Sequence, residues 1–372
     1  MNSRYNLRNY PAVKYWMQII FLCIFAGLQF SSHAEPYLAI KNNLQCSGCH
    51  VNPNGGGQRN EFGRIYGASI LAESTSKLNA AEFGKLNKYI DLGANARFNA
   101  MIQRNKQQEN NTSKSFEISS AQVYLHLKVP ETGLSFYLDQ QVAPGSAINR
   151  EAFVMYQFEN ADFIKAGKIF LPYGLRIEDD SAFIRQATGM NFDNSDNGIE
   201  YGSNFGNTHV NVYISNGTSQ ASNNDDSFLF GTRIEHHFSS FRIGTSALLN
   251  DGDQETQMLN LYGGSQLGDF TLLAEVDYIR IESQNGNTIS QLATLAEINY
   301  QWRAGWNIKL TAEYFDPDND IEENEQTRYS VIGEYTPLSN VQLRFGIRSK
   351  QDIPQKLQQN NDLFFIQSHF YF

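Results

Sequence analysis

From about Lys88 to its last residue the chain alternates apolar and polar side chains with a period of two. The run Leu92-Gly93-Ala94-Asn95-Ala96-Arg97-Phe98-Asn99-Ala100-Met101-Ile102 shows the pattern. Such alternation over ten or so residues makes a strand with one apolar and one polar face. It recurs over 121–129, 210–214, 243–249, 292–302, 306–314 and 341–347. Polar clusters at 107–113, 222–226, 283–288 and 316–326 alternate with short turns at 238–240, 267–269 and 303–305. Long loops on one side and tight turns on the other are what a closed barrel shows on its two rims. Spacing gives about sixteen strands, and the parity of such barrels favours an even number.

A soluble β-sandwich would also alternate, with its apolar face turned inward. Two features favour a lipid-facing barrel instead. The chain ends Phe364-Phe365-Ile366-Gln367-Ser368-His369-Phe370-Tyr371-Phe372, with Phe364, Ile366, Phe370 and Phe372 on one face. A last strand ending in Phe resembles the recognition signal of bacterial outer-membrane barrels. Aromatics make up 13 % of the chain, and many gather near strand ends, including Tyr124, Tyr137, Tyr156, Tyr173, Tyr201, Tyr262, Tyr278, Tyr300, Trp302, Trp306, Tyr314 and Tyr335, as interfacial girdles require. Backbone groups cannot go unpaired in hydrocarbon, so strands that span must close. Residues 88–372 therefore read as an all-β, transmembrane antiparallel β-barrel in the lipid of a bacterial outer membrane. Residues 170–189 break the rhythm and carry Arg176, Arg185 and the acids Glu178, Asp179 and Asp180. They read as a loop folded into the lumen, with those arginines facing those acids across a constriction.

Ahead of the barrel, Arg4, Arg8 and Lys14 precede the apolar run Met17 to Leu28, and Ser32-His33-Ala34 fits a small-x-small cleavage site. The run is too short to span a bilayer, so residues 1–34 read as an export signal. Cys23 leaves with it, and the only other cysteines are Cys46 and Cys49 in Cys46-Ser47-Gly48-Cys49-His50. C-x-x-C-H is the attachment pattern of a c-type haem: two thiols add to the porphyrin vinyl groups and the histidine ligates the iron. A structural zinc site needs four ligands and there is no second cysteine pair. A structural disulfide or a redox dithiol remains the alternative. The chain carries 29 Lys and Arg against 39 Asp and Glu, an acidic balance that excludes a nucleic-acid partner.

Residues 35–87 thus form a short mono-haem segment that plugs the barrel. Gly55-Gly56-Gly57 would let backbone pass close to the haem, with Arg59 and Arg64 as candidate partners of its propionates; a flexible connector with two solvated arginines is the alternative. Residues 80–88 read as a short helix weakened by Gly84. His50 is the only histidine between Glu35 and Tyr89, and that stretch has no methionine. A sixth iron ligand would come from later in the chain, from Met101, His126, Met155, Met190, His209, Met258 or the His236-His237 pair. His126 and His209 fall in polar rows of their strands.

With C-x-x-C-H, Glu61-Phe62-Gly63-Arg64 and a barrel in one chain, the sequence resembles the fused outer-membrane cytochrome–porins, whose small mono-haem segment precedes and plugs a porin-like barrel. The resemblance implies one covalent haem c and exchange of electrons between periplasmic c-type cytochromes and an extracellular redox partner. In the best-known members that partner is Fe(II), which would make the chain a ferrous-iron oxidase. The stretch Asn52-Pro53-Asn54-Gly55-Gly56-Gly57 departs from the post-haem stretch of the iron oxidases, so the donor stays open. A porin for small solutes with a structural or sensory haem is the second expectation. A haem enzyme with an open iron position is the third.

Overall fold

In the computed structural model, residues 35–75, 82–106, 112–190, 194–252, 254–351 and 360–372 are described. The expected export signal over 1–34 lies outside them.

Sixteen strands, from β1 (Ile90–Asn105) to β16 (Asn361–Tyr371), each pair antiparallel with the next, and β1 closes on β16. The closure runs in unbroken register from Asn95 opposite Tyr371 to Asn105 opposite Asn361. No strand edge is left unpaired, which is the condition for backbone in hydrocarbon. Alternation decides which face each side chain takes. Leu259 and Leu261 are each 56 % exposed, whereas Asn260 between them is 3 % exposed. The apolar row therefore faces lipid and the polar row faces the lumen. The turns 238–240, 268–269 and 304–305 lie on one rim with both ends of the barrel. By the usual polarity of these barrels that rim is periplasmic, and the longer loops are extracellular.

The lumen is filled from both ends. From the periplasmic side enter α1 (Pro36–Lys41), a 3₁₀ turn (Cys46–Gly48), a glycine loop and α2 (Glu61–Tyr66), which continues as one π turn (Gly67–Leu71). Ser74 bridges to Leu338 on the periplasmic rim. The segment between Ile169 and Asp196, holding α3 (Phe183–Thr188), folds inward as expected. Tyr37 and Ile40 of α1 pack with Leu175, Ile177 and Ile184 of that segment and with Tyr262 and Leu273 of the wall.

Three expectations change. The described part of 80–88 is a turn and a bridge from Lys85 to Asp91, with no helix: Gly84 sits at φ 82° with its Cα against the Leu92 backbone. Tyr124, Tyr137, Tyr173 and Tyr262 are not girdle residues but buried in the lumen, where the plug gives their rings something to pack on. Tyr156, Tyr201, Tyr278 and Trp302 do face outward. Finally, Arg176 and Arg185 do not oppose the acids of their own loop. Arg185 donates to the Ile177 and Glu178 carbonyls at 2.8 and 2.9 Å, and Arg176 to the Leu171 carbonyl at 2.8 Å. The acids bind the wall instead: Glu178 pairs with Arg97 and Arg344, and Asp179 with Arg328 and Arg348. A buried carboxylate gains more from a guanidinium fixed on a strand than from a neighbour on the same short loop.

Candidate functional site

The plug is built around one tight turn. The amides of Cys49 and His50 both donate to the Cys46 carbonyl, at 3.1 and 3.0 Å, which brings Cys46, Cys49 and His50 together. A short antiparallel pairing follows, with Val51 N–H on the Gln58 carbonyl at 3.0 Å and Asn60 N–H on the Cys49 carbonyl at 2.9 Å. Asn60 then caps α2, accepting from Gly63 N–H at 2.9 Å while its amide reaches back to the Ser47 carbonyl at 2.9 Å. One asparagine thus locks the turn to the helix.

The tip of this hairpin is where glycine is required. Gly55, Gly56 and Gly57 have φ of 84°, 80° and 61°, a region costly for residues with a side chain. At Gly57 a Cβ would also overlap the Tyr137 hydroxyl, which accepts Gln58 N–H at 3.0 Å. Gly57→Ala is expected to destabilise the folded barrel by about 1–3 kcal/mol, read as a lower midpoint in the heat-modifiable mobility of the detergent-solubilised protein. Beyond the glycines the tip is clamped to the wall. Asn52 donates to both Glu151 oxygens at 2.9 and 2.8 Å, and Asn54 to both Glu200 oxygens at 2.9 Å.

Cys46, Cys49 and His50 line one cavity, with about 790 Å³ of empty space including its mouth, within the usual range of small-molecule and cofactor sites. Leu38, Ile40 and Leu175 make its apolar sides, and Arg59, Arg176, Arg233 and Arg242 contribute cations. The cavity sits in the periplasmic half. Arg242, next to the 238–240 turn, donates to the Ala39 and Leu44 carbonyls at 2.8 and 2.9 Å. Gln45 donates to Asn204 at 2.8 Å near the adjoining turn.

The two thiols are unpaired, and burial pushes both up from the usual thiol range; nearby cations, Arg233 for Cys46 and Arg59 for Cys49, oppose the shift. His50 is 3 % exposed, and neither ring nitrogen has a hydrogen-bond partner. Burial, then the Arg59 charge, lowers its pKa to about 3, with the carbonyls of Gly56 to Gln58 opposing. A neutral imidazole with an open nitrogen is the form that ligates a metal. Two thiols, that imidazole, an apolar slot and a rim of guanidinium groups fit a tethered porphyrin with two carboxylates.

Of the arginines picked out by sequence, Arg59 lines the cavity. Arg64 turns away, its Nη1 donating to the Arg59 carbonyl at 3.2 Å. Arg176, Arg233 and Arg242 could not be found from motif spacing, because the inward loop and the barrel wall deliver them. None of the expected sixth ligands reaches the cavity, and among its described lining residues His50 is the only histidine, with no methionine. His126 lies 3.8 Å from Asp91, and His209 shares a 3.0 Å hydrogen bond with Asn204. His236 contacts Thr208 at 2.7 Å, and His237 contacts Glu235 at 2.7 Å. Met155, Met190 and Met258 belong to an apolar cluster of wall and loop, and Met101 sits on β1 opposite Phe365.

No family model and no curated protein matches the chain. Solved structures do. A loop-L8 deletion mutant of OmpT, an outer-membrane protein of Vibrio cholerae, superposes with a TM-score of 0.60 at 12 % identity, over 77 % of this chain and 100 % of that one. The fold is that of an outer-membrane porin. An anion-selective porin from Comamonas acidovorans gives 0.60 at 12 % identity, covering 76 % of this chain and 99 % of its own. The outer-membrane channel DcaP of Acinetobacter baumannii gives 0.57 at 10 %, over 76 % and 97 %. A porin fold whose outer row is apolar belongs in a bacterial outer membrane.

Proposed function

We propose that the chain is an electron conduit of the bacterial outer membrane, with one haem c bound in the periplasmic half of its lumen. The observation that carries this reading is the meeting of two unpaired thiols and a buried, unpartnered imidazole on one largely apolar cavity. Cys46 and Cys49 would be the thioether anchors and His50 an iron ligand. The haem, when bound, supplies reversible one-electron chemistry. The chain does the rest. The turn closed on the Cys46 carbonyl orients His50, and burial keeps its ring neutral. Arg59, Arg176, Arg233 and Arg242 offer guanidinium groups to the propionates. Leu38, Ile40 and Leu175 keep water from the slot. The plug and the inward loop, clamped to the wall through Asn52, Asn54, Glu178 and Asp179, obstruct the path of a hydrated solute. Electrons would pass to or from periplasmic c-type cytochromes at the short-turn rim. An extracellular redox partner, Fe(II) among the candidates, would meet the other side.

The likeness to solved porins and channels favours a second reading, a porin for small solutes in which the haem is structural or sensory. A visible spectrum of the oxidised, purified protein before and after Fe(II), together with its conductance in a planar bilayer, separates the two. The conduit requires haem bands that change reversibly on reduction and a conductance well below that of an open porin. Open-pore conductance with bands that no donor shifts would establish the porin. A spectrum without haem bands would end both haem readings, while bands that dithionite shifts and Fe(II) does not would remove only iron.

A further inference from the structure

Below the inward loop, against α1, lies a cluster of charges with an uneven balance. Glu35 pairs with Lys309 at 2.8 Å and Arg344 at 3.6 Å. Lys309 also faces Glu334 at 3.5 Å and Glu297 at 3.8 Å, and Arg344 faces Glu334 at 3.3 Å and Glu178 at 3.2 Å. Arg97 completes the set on Glu178. Four carboxylates, Glu35, Glu178, Glu297 and Glu334, thus meet three cations, Arg97, Lys309 and Arg344. All seven side chains are at most 9 % exposed. Glu35 Oε1 and Glu334 Oε1 accept no hydrogen bond. A buried carboxylate without its counter-charge is costly enough that such sites find another cation or a proton.

Glu35 as a whole residue is 3 % exposed, so its backbone nitrogen is buried beside the same carboxylates that its side chain faces. We propose that the Ala34–Glu35 peptide bond is hydrolysed by an export peptidase, and that the α-ammonium released on Glu35 is the fourth cation of this cluster. Water adds across the amide, leaving a carboxylate on Ala34 and an amine on Glu35 that takes up a proton at neutral pH. The new charge then sits within reach of Glu178 and Glu334 with no rearrangement of the wall. The competing way to balance the cluster is a proton shared between Glu35 and Glu178, and it predicts the opposite behaviour below. Burial, then the charges of Glu178 and Glu334, hold the Glu35 carboxyl well above the usual range against the pull of Lys309. That is the state of the cluster while the nitrogen is still an uncharged amide. The inference does not depend on the haem.

The test uses protein isolated from outer membranes. Amino-terminal sequencing should begin at Glu35; a mature chain starting elsewhere overturns the proposal. Acetic anhydride at neutral pH should acylate that amine about tenfold or more slowly in the folded barrel than in the boiled, unfolded chain; equal rates overturn it. Glu297→Gln gives the sign. With four cations present it removes a needed negative charge and lowers the unfolding midpoint. In a cluster one cation short it would restore balance and raise the midpoint, which would defeat the proposal. If that variant does not reach the membrane, sequencing and acylation of the unaltered protein still decide the matter.

Discussion

Chains carrying Cys46→Ala and Cys49→Ala together are expected to reach the outer membrane as folded barrels and to carry no covalent tetrapyrrole. The effect should be complete, since the described residues hold no other cysteine for a thioether. Intact mass and peroxidase staining after denaturing electrophoresis measure it. The barrel should survive because neither thiol takes part in a hydrogen bond or disulfide that holds the plug. The turn is closed by the backbone of residue 46, and Asn60 fastens it to α2. A single His50→Ala change should separate the roles. Both thioethers would still form, so the mass would keep the added group, while the visible bands would lose the signature of an imidazole ligand. Unchanged mass and spectrum in the double-alanine chain would remove the cofactor from the account altogether.

The second large effect concerns stability. Lys165→Met is expected to destabilise the barrel by about 3–5 kcal/mol, the usual cost of stripping one partner from a buried ion pair. Lys165 is fully buried, with its ammonium 2.9 Å from Glu200 and 3.1 Å from the Asn52 carbonyl oxygen, and it stands over the Phe153 ring. Glu200 would keep only the amides of Asn54 and Asn211, at 2.9 and 2.7 Å. Adding Glu200→Gln removes the stranded charge, so the double variant should regain a substantial part of the loss. Denaturation followed by heat-modifiable mobility provides all four corners of the cycle. A double variant no better than Lys165→Met alone would mean that the lysine acts through packing rather than charge.

The barrel is legible in the sequence because its physics is one-dimensional. A strand with lipid on one side and a lumen on the other must alternate, and Leu259-Asn260-Leu261 states the rule in three residues. The sixteen strands and the inward turn of residues 170–189 both follow from that rhythm and its single interruption. The partners inside the lumen were not readable. Glu178 could be marked as a charged loop residue, but that it would meet Arg97 from β1 and Arg344 from a strand nearly the whole barrel away depends on closure. Arg233 and Arg242 reach the cavity by the same route, as did the displacement of the expected girdle tyrosines into the interior. Periodicity says which face a residue takes and nothing about what occupies the space in front of it. Arg59 and Arg64 illustrate the finer limit. Five positions apart, both are buried in the plug, yet only one turns toward the cavity, because α2 rotates the other away.

The plug touches the wall at opposite quarters of its circumference. Asn52 and Asn54 hold Glu151 and Glu200 on the early strands, while Glu35 holds Lys309 and Arg344 on the late ones. A sheet that curls shut around such a strut must have the strut in place before its first and last strands meet. The amino-terminal segment therefore acts as a mandrel during biogenesis. It sets the bore of the finished cylinder, and any group joined to it travels into the membrane already mounted.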